Sequence, residues 1–398
     1  MHTTALETSR RTLSRRLSHA PRRSRRRGLS LMEVMFAIGV VMIGLLGIAV
    51  LVPIAGKAAQ DGSDYERSAR AGMNAVREFQ MREMGRPDNW IYPDHTAVGA
   101  PGLNDTAYCI DPRFVAVNNQ VNMPAADLRR FFPYSPGPAP LPRMRRVSLR
   151  RWSSRLANAG MMGIEMSDEV FVALDDLNIE QPDDPQLPAM QVFYNQNPTS
   201  PDKRQAKGEF SWMATITPRN DGSASPGAST QDTYTLSIVV LQRRDNAMPL
   251  DNISERWAII PATAQMNGFY GAGLNGGDVA LVDKALYSTI LGGPAPAPNP
   301  ADLDLKRGQW ILLARNSPIG PMYRWYKVVE AAPDLEDSSQ LLGASPPAGL
   351  PLRHVSLFGQ DWIFDLNPNN QTIAIIVPGV VAVYEKTIRL ENSSLWSQ

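Results

Sequence analysis

The stretch RRRGLSLMEVMFAIGVVMIGLLGIAVLVPIAGK, residues 25–57, decides the architecture of this chain. From Val34 to Ala55 it holds 22 residues without a charged or polar side chain. A helix of that length rises about 33 Å, enough to cross the hydrocarbon core of a bilayer. One carboxylate, Glu33, lies at the start of this run. An acid beside a membrane segment is costly enough to indicate a functional role.

The residues before the apolar run are strongly basic. Residues 1–28 contain nine arginines and one acid, a net charge of +8, although the whole 398-residue chain carries only +1. Arginine-rich ends can bind nucleic acid, but basic residues beside an apolar span more often hold that end in the cytoplasm. Because Arg25, Arg26 and Arg27 adjoin the span, we interpret the basic end as a topology signal.

Two familiar kinds of segment explain only part of this pattern. A secretory signal has an apolar region of about 7–15 residues and an A-x-A-like cleavage site, whereas this run is longer and no good site follows it. The string SRRTLSRRL at 9–17 faintly matches a twin-arginine signal but meets the same objection. A simple single-pass anchor fits the length and leaves Glu33 unexplained.

The string GLSLMEV, which begins at Gly28, resembles the N-terminal signal of type IV pilins and type II secretion pseudopilins. In that family a prepilin peptidase cuts after a glycine on the cytoplasmic side of the membrane. The new N-terminal residue is then N-methylated, and the fifth mature residue is glutamate. The resemblance implies cleavage between Gly28 and Leu29, methylation of Leu29 and a charge-pairing role for Glu33 in assembly. The string IGLLG at 43–47 is most similar to PilV-like minor pilins.

The resemblance implies a non-enzymatic subunit of a type IV pilus-like or type II secretion filament. Its expected partners are prepilin peptidase, other pilin or pseudopilin subunits, an inner-membrane assembly platform and membrane lipid. Its expected location is the inner membrane, crossed once, with the C-terminal domain outside the cytoplasm or incorporated in a pilus or pseudopilus. Two features depart from the family pattern: Leu29 replaces the usual phenylalanine, and the helix proline comes late, as Pro53.

The charge-pairing role has a physical basis. Cleavage at Gly28 creates a positive amine that is buried among apolar helices when subunits assemble. The Glu33 carboxylate of a neighbouring subunit can neutralise this amine, and pairing removes the cost of two unpaired buried charges. A glycine before the cut also lets the backbone enter a narrow protease cleft without a side-chain clash.

After Gly56 the pattern becomes amphipathic and predicts one buried helix face. The apolar residues that recur at helical spacing are Tyr65, Ala69, Met73, Val76 and Phe79. The string GRP at 85–87 predicts the end of this helix.

The resulting division of the chain has four parts. We predict a removed basic leader (1–28), a pilin-type helix (29–84) that is transmembrane to about 55, a proline-rich irregular region with short helices (85–189), and a β-rich globular head (190–398). The predicted fold class is α+β: a long N-terminal hydrophobic and amphipathic helix packed on a large, mostly antiparallel β-rich C-terminal domain.

The predicted head consists of short segments rich in Val, Ile, Tyr and Trp that are separated by Gly, Pro and Asn turns. The candidate strands are GEFSWMATITP, TYTLSIVVLQRR, RWAIIPA, DVALVD, GQWILLAR, YRWYKVVEA, DWIFDL, TIAIIVP and GVVAVYEKTIRLE. A short helix is predicted before them, at SDEVFVALDDLNIE (167–180), because the helix dipole favours acids in the first turn.

A basic patch, RMRRVSLRRWSSR at 143–155, has three readings. Its six arginines surround Trp152, and such a combination can line a nucleic-acid groove. A solvated helix face or a contact with an acidic neighbour is the more ordinary reading. Nucleic acid is therefore not an expected partner.

The tests for catalytic, cofactor and metal chemistry are negative. Cys109 is the single cysteine, which excludes an intrachain disulfide and a zinc site built on cysteines. The string GAGLNG at 271–276 lacks the following helix of a dinucleotide site, so a turn is expected. DLNPN at 365–369 lacks the glycine and glutamate of a calcium loop, and the acids of 174–184 are expected in solvated turns.

We therefore expect no catalytic residues, no cofactor and no metal, and His95 and His354 are interpreted as ordinary surface or core histidines. The alternative is a single-pass membrane-anchored protein whose extracytoplasmic domain binds a ligand or is an unrecognised enzyme.

Overall fold

The computed structural model describes residues 30–98, 106–118, 128–134, 142–150, 160–173, 177–179, 206–219, 233–244, 255–261, 277–286, 297–317, 320–337, 350–360, 362 and 372–390. The chain divides into two compact units, Met1–Gly62 and Ser63–Gln398. In the first unit, the described residues form the beginning of one helix. The second unit holds every described strand.

The first helix, α1, covers Leu31–Met81 and includes the whole apolar run. It is long and apolar enough to cross a membrane, and no residue of its most apolar part is buried. A helix with apolar side chains on all sides has no polar face to turn to water. Lipid or other apolar helices are the surroundings that suit it.

The second part of α1 buries a different face from the one predicted. Its buried residues are Ser68, Ala71, Gly72, Ala75 and Phe79, and all but Phe79 are small.

The prediction was correct for Phe79, and in part for Ala69 and Val76, which are half-buried. It was wrong for Tyr65 and Met73, which are 63% and 56% exposed. Hydrophobic periodicity selected the larger side chains, whereas a helix that packs closely on a sheet places its small residues at the contact. The helix ends at Met81, four residues before the GRP string.

The first sheet follows α1 and has the strand order β1-β4-β2-β7-β8-β16, with β3 paired to β4. The pairings are antiparallel except for β2 with β4, which is parallel. Its strands are β1 (Trp90–Ile91), β2 (Tyr108–Ile110), β3 (Phe131–Phe132), β4 (Met144–Leu149), β7 (Phe210–Pro218), β8 (Thr233–Gln242) and β16 (Val380–Arg389).

The second sheet closes into a six-stranded antiparallel barrel. Its order is β10-β9-β15-β11-β12-β14, and β14 pairs back with β10. The strands are β9 (Arg256–Ile260), β10 (Asp278–Val282), β11 (Trp310–Ser317), β12 (Gly320–Ala331), β14 (Pro351–Phe358) and β15 (Thr372–Ile376), and a short strand β13 (Glu336–Asp337) extends β14. Closure removes the unpaired edges that an open sheet of this length would present.

Within the second unit, the first sheet lies between the second part of α1 and the barrel. One of its faces, with Trp212, Ala214 and Ile238, packs in a core that also holds Ala75 and Phe79 of α1. Its opposite face, with Met213 and Val239, packs against barrel residues. Trp325 of β12 reaches this face, where its indole N–H donates to Thr215 Oγ1 at 3.3 Å. A third core lies on the other face of the barrel strands. It holds the alternate residues of these strands, those that do not belong to the core shared with the first sheet.

Two short α-helices and a small sheet are described besides α1 and the two large sheets. Helix α2 covers Pro112–Asn118 and helix α3 covers Ile164–Phe171. Strands β5 (Leu177–Ile179) and β6 (Ala206–Gly208) form a separate two-stranded sheet. The predicted helix at 167–180 therefore exists as α3, but it begins earlier and ends at Phe171.

The region 85–189 is not only irregular. Strands β1 to β4 come from it and pair with one another, and β2 also pairs with β7 from beyond residue 190. These strands are two to six residues long, and the arginines of β4 hide its strand character in the sequence. Strands β1 to β4 therefore belong to the same sheet as β7, β8 and β16 of the predicted head.

Eight of the nine predicted strand segments contain a described strand, from β7 to β12, β15 and β16. The ninth, DWIFDL at 361–366, lies outside the described residues except for Trp362. Strand β14, with the sequence PLRHVSLF, was not predicted, and it is the strand that closes the barrel.

Candidate functional site

The start of helix α1 is organised around Ser30 and Glu33. The Ser30 hydroxyl accepts a hydrogen bond from the Met32 N–H at 3.3 Å, and the Ser30 carbonyl accepts from the Glu33 N–H at 2.9 Å. Ser30 therefore caps donors that would otherwise lack partners at a helix start. Glu33 is the acid of the first turn, where the helix dipole favours a negative charge.

Glu33 is exposed, and no ion pair to it occurs among the described residues. The apolar side chains that follow it are also exposed on all sides of the helix. Phe36 is 77% exposed and Leu46 is 70% exposed, and both lie within the predicted span. Carbons added at Gly39, Gly44 and Gly47 would meet no neighbouring atom within 4 Å. This segment thus combines one carboxylate with a long surface suited to an apolar environment.

The predicted processing site lies outside the described residues. Gly28 and Leu29 belong to the undescribed part that ends at residue 29, as do the leader arginines. The roles predicted for Gly28 and Leu29 therefore remain predictions. Glu33 lies within the described helix.

The amphipathic half of α1 is joined to the first sheet by a close contact. A Cβ at Gly72 would overlap the aromatic ring of Tyr384, which lies on β16. Only a glycine lets the helix backbone approach this ring so closely. The side chain of Gln242, at the end of β8, also donates to Asp64 Oδ2 at 3.2 Å and to Glu209 Oε1 at 3.0 Å.

A buried ion network occupies the junction between the first sheet and the barrel. The Arg146 side chain, on β4, is fully buried. Its Nη1 donates to Asp111 Oδ2 at 2.5 Å, and its Nη2 donates to Glu255 Oε1 at 2.7 Å and Oε2 at 2.9 Å. The guanidinium carbon also lies 3.7 Å from the centroid of the Phe114 ring. Glu255 immediately precedes β9, so this arginine links the two β structures.

Two further contacts extend the network. Arg244 donates to both Asp111 oxygens, at 2.9 and 2.6 Å. The Tyr134 N–H donates to Glu255 Oε2. Burial by itself would raise the pKa of Asp111, but Arg244 and Arg146 outweigh it and hold that pKa below its ordinary value. Burial likewise would lower the pKa of Arg146, whereas Glu255 and Asp111 raise it. Asp111 and Arg146 are therefore both charged at neutral pH.

In the described part of the basic patch, residues 143–150, strand β4 carries an arginine that forms buried ion pairs. Of its arginines, Arg146 is buried and Arg145 contacts Tyr92, whose hydroxyl accepts from Nη1 at 3.1 Å. The interpretation as a contact with an acidic neighbour is confirmed for Arg146, and the solvated helix reading is wrong for the described residues. Arg151, Trp152 and Arg155 lie outside them. Sequence analysis missed Asp111 and Glu255, since their distance from Arg146 along the chain gives no signal.

The two histidines have separate surroundings. His354 on β14 lies 3.2 Å from Glu336 Oε2 on β13. His95 occupies a turn with a positive φ of 64°. Among the described residues there is no group of three His, Cys, Asp or Glu side chains that could hold a metal ion. The strings GAGLNG and DLNPN lie outside those residues, and of 174–184 only 177–179 are described, in β5.

Cys109 is buried in the core of the first sheet. Desolvation by burial raises the pKa of its thiol, although Arg146 acts in the opposite direction. A protonated, buried thiol is a poor nucleophile. This residue therefore packs as a small apolar side chain.

Comparison with protein-family models, with curated proteins and with solved structures finds no match to this chain.

Proposed function

We propose that this protein is a non-enzymatic minor pilin or pseudopilin subunit, anchored in the inner membrane and assembled through helix α1 into a type IV pilus-like or type II secretion filament. The observation that carries the proposal is the beginning of α1. One carboxylate, Glu33, stands in the first turn of a helix whose next 22 residues, Val34 to Ala55, offer only apolar or small side chains to their surroundings.

The second half of α1 supports the same proposal. It turns a row of small residues toward the first sheet and closes on Tyr384 at Gly72. A single helix thus has an apolar part suited to lipid and a part built into a β-rich body. A subunit that leaves the bilayer and enters a filament needs both parts, because the apolar surface is covered by lipid before assembly and by other helices afterwards.

The proposal assigns a specific partner to Glu33. Removal of the leader after Gly28 would leave the amine of Leu29 as a positive charge at the start of the apolar helix. Two unpaired charges among apolar helices would be expensive, and an ion pair between the amine of one subunit and Glu33 of the next removes that cost. The absence of an ion-pair partner for Glu33 among the described residues is compatible with a partner in another copy.

The mature N-terminus tests the proposal directly. The protein is purified from membranes of a host that expresses prepilin peptidase, and its N-terminal peptide is identified by mass spectrometry. We expect the mature chain to begin at an N-methylated Leu29. A host without the peptidase is the control and should yield the full leader.

Two results would contradict the proposal. An intact Met1 in both hosts would leave a single-pass anchored protein. Cleavage beyond residue 55 would identify a removable secretory signal and separate the apolar helix from the mature protein.

A further inference from the structure

A cavity of about 340 Å³ opens between the first sheet and the barrel. Its volume lies within the range of small-molecule sites. One wall is formed by β7, β8 and β16, and the other by the start of β12 and by residues 360 and 362. It is separate from helix α1 and from the Arg146 network, since none of their residues lines it.

The sheet wall carries a row of three hydroxyl groups. Thr217 on β7 is paired with Thr235 on β8, and Thr235 is paired with Thr387 on β16. Cross-strand neighbours in register lie about 4.8 Å apart, so the three threonines form one line across the sheet. The next row toward the core holds Thr215, Ser237 and Glu385 in the same register.

This polar wall interrupts an otherwise apolar face. Further along the same strands, Met213 and Val239 are fully buried against the barrel, and Leu241 follows them. A face that only had to cover the barrel would continue with such residues, because apolar contact stabilises the packing of two layers. The three threonines instead border an open space, where their hydroxyl groups can bind polar groups. The Thr217 hydroxyl donates to the Thr235 carbonyl at 3.5 Å, so its oxygen faces the space as an acceptor.

Three cations and one carboxylate line the cavity, and Lys386 of β16 is the cation besides the two arginines. Arg219, directly after β7, and Arg324 on β12 line it together with Glu385. Glu385 interacts with Arg324 and accepts hydrogen bonds from Ser237 and from the Trp325 N–H. The positive charge of the lining thus exceeds its negative charge. Guanidinium groups beside hydroxyl donors are the ordinary means of binding carboxylate and phosphate oxygens.

The barrel wall is held rigidly. The Tyr326 hydroxyl donates to the Gln360 carbonyl at 2.6 Å, and its ring packs where a side chain at Gly359 would have to lie. The Trp362 indole N–H donates to Thr372 Oγ1 at 3.0 Å, which fixes this ring against the barrel. Contacts within the protein therefore hold this wall in place, and a preorganised wall reduces the cost of binding.

Tyr323 adds a further polar group at this wall. It lines the cavity and is 8% exposed, and its buried hydroxyl has no hydrogen-bond partner among the described residues. A buried hydroxyl without a partner is unfavourable. A ligand oxygen in the adjoining space is one acceptor that this site could offer it.

We propose that this cavity is a binding site for a small hydroxylated anion, a molecule that carries a carboxylate or phosphate group together with hydroxyls. Arg219 and Arg324 hold the anionic group, and the line of Thr217, Thr235 and Thr387 binds the hydroxyls. This site is independent of the role of α1 in assembly.

The test measures binding to the full chain in detergent micelles by isothermal titration calorimetry. The probes are D-glucuronate, which carries a carboxylate, glucose 6-phosphate, which carries a phosphate, and neutral D-glucose. We expect one of the two anions to bind with a dissociation constant below about 1 mM and glucose to bind at least about tenfold more weakly. The anion that binds identifies the ligand class.

Two variants place the binding in this cavity. Arg219→Gln should weaken the binding of the preferred anion at least about tenfold, since it removes a charge-assisted contact. Thr235→Val keeps the shape of the side chain and should weaken it by a smaller factor. Arg307→Gln, in an exposed turn before β11, is the matched control and should leave binding unchanged.

The proposal is overturned if neither anion binds at up to about 10 mM, or if glucose binds as well as they do. It is also overturned if Arg219→Gln binds the preferred anion as tightly as the unaltered chain while its thermal midpoint remains normal. A loss of binding in Arg307→Gln equal to that in Arg219→Gln would indicate a nonspecific charge effect and would equally reject the site.

Discussion

Glu33 combines two properties that rarely occur together. It lies in the first turn of α1, where the helix dipole favours it, and it borders an apolar run in which a charge is costly. If its partner is the N-terminal amine of another subunit, Glu33→Ala should leave leader cleavage intact and reduce incorporation into filaments. Breaking one side of a buried ion pair costs about 3–5 kcal/mol, so the reduction should exceed tenfold. The measurement is the amount of processed subunit recovered in sheared filaments.

Glu66→Ala is the matched control for this residue. Glu66 is an exposed carboxylate of the same helix whose ion-pair partner is Arg70, one turn away. Such exposed pairs contribute little, so this variant should be processed and incorporated normally. Equal incorporation of the Glu33→Ala and unaltered subunits would remove the charge-pairing argument.

At the level of the element, the contact of α1 with the first sheet depends on Gly72. Alanine favours a helix interior by about 1 kcal/mol relative to glycine. At this position, however, its Cβ would overlap the Tyr384 ring, and overpacking of this kind costs about 1–3 kcal/mol. We therefore expect Gly72→Ala to be neutral or to lower the free energy of unfolding by up to about 2 kcal/mol, measured by urea denaturation in micelles.

Two further variants separate the effect of helix propensity from that of the steric contact with Tyr384. Gly62→Ala lies in the same helix with no atom within 4 Å of the added carbon, and it should stabilise the helix by up to about 1 kcal/mol. In a Tyr384→Ala background the clash is gone, so Gly72→Ala should then become stabilising. If this double-mutant cycle shows no interaction free energy between positions 72 and 384, the proposed contact is contradicted.

The strands show what a sequence can reveal about these elements. Runs such as TYTLSIVVLQ and TIAII are rich in β-branched residues, and they were predicted from that pattern. Strand β14, PLRHVSLF, begins with proline and contains arginine and histidine, so its composition resembles a loop. Because β14 closes the barrel by pairing with both β10 and β12, its omission concealed the closure as well.

The buried face of α1 was missed for a different reason. Periodicity detects large apolar residues, but Ser68, Ala71 and Gly72 are buried because the helix approaches the sheet closely. The Arg146 network was equally hidden, since Asp111 and Glu255 lie 35 and 109 residues away from it along the chain. By contrast, Glu33 and the apolar run were recognisable because all their information is local.

At the level of the whole molecule, the buried ion network should make stability depend on acidity. In the folded protein, Arg244 and Arg146 hold the pKa of Asp111 below its ordinary value. The unfolded chain therefore binds a proton at Asp111 more readily than the folded chain does. The contribution of Asp111 is therefore fully present above the unfolded value of about 4 and is lost as the pH falls through the lower folded value. We expect the free energy of unfolding to decline below about pH 4, as measured by urea denaturation between pH 7 and pH 2.5.

Asp111→Asn identifies the source of this decline. The variant removes one buried charge of the network and should lose about 3–5 kcal/mol at pH 7. It should also show a shallower decline at low pH, since the titrating group is absent. If the unaltered protein and the variant lose stability in parallel below pH 4, another group is responsible.

The position of the barrel in the chain gives this molecule a modular construction. All six barrel strands lie between β8 and β16, yet these two strands are direct neighbours in the first sheet. The chain leaves at Gln242 and returns at Gly379, where the Gln242 N–H donates to the Gly379 carbonyl at 2.7 Å. Gly379 has a φ of 81°, a value that suits a glycine at so close an approach.

The barrel is therefore inserted at a single point of the first sheet, between β8 and β16. A different domain could replace it there without altering the order of the remaining strands. A replacement domain would have to meet one electrostatic condition. Glu255 comes from the inserted segment and neutralises Arg146 of the sheet. Arg146 now has two acidic partners, Asp111 and Glu255. A replacement domain without a carboxylate in the place of Glu255 would leave Arg146 buried with Asp111 alone.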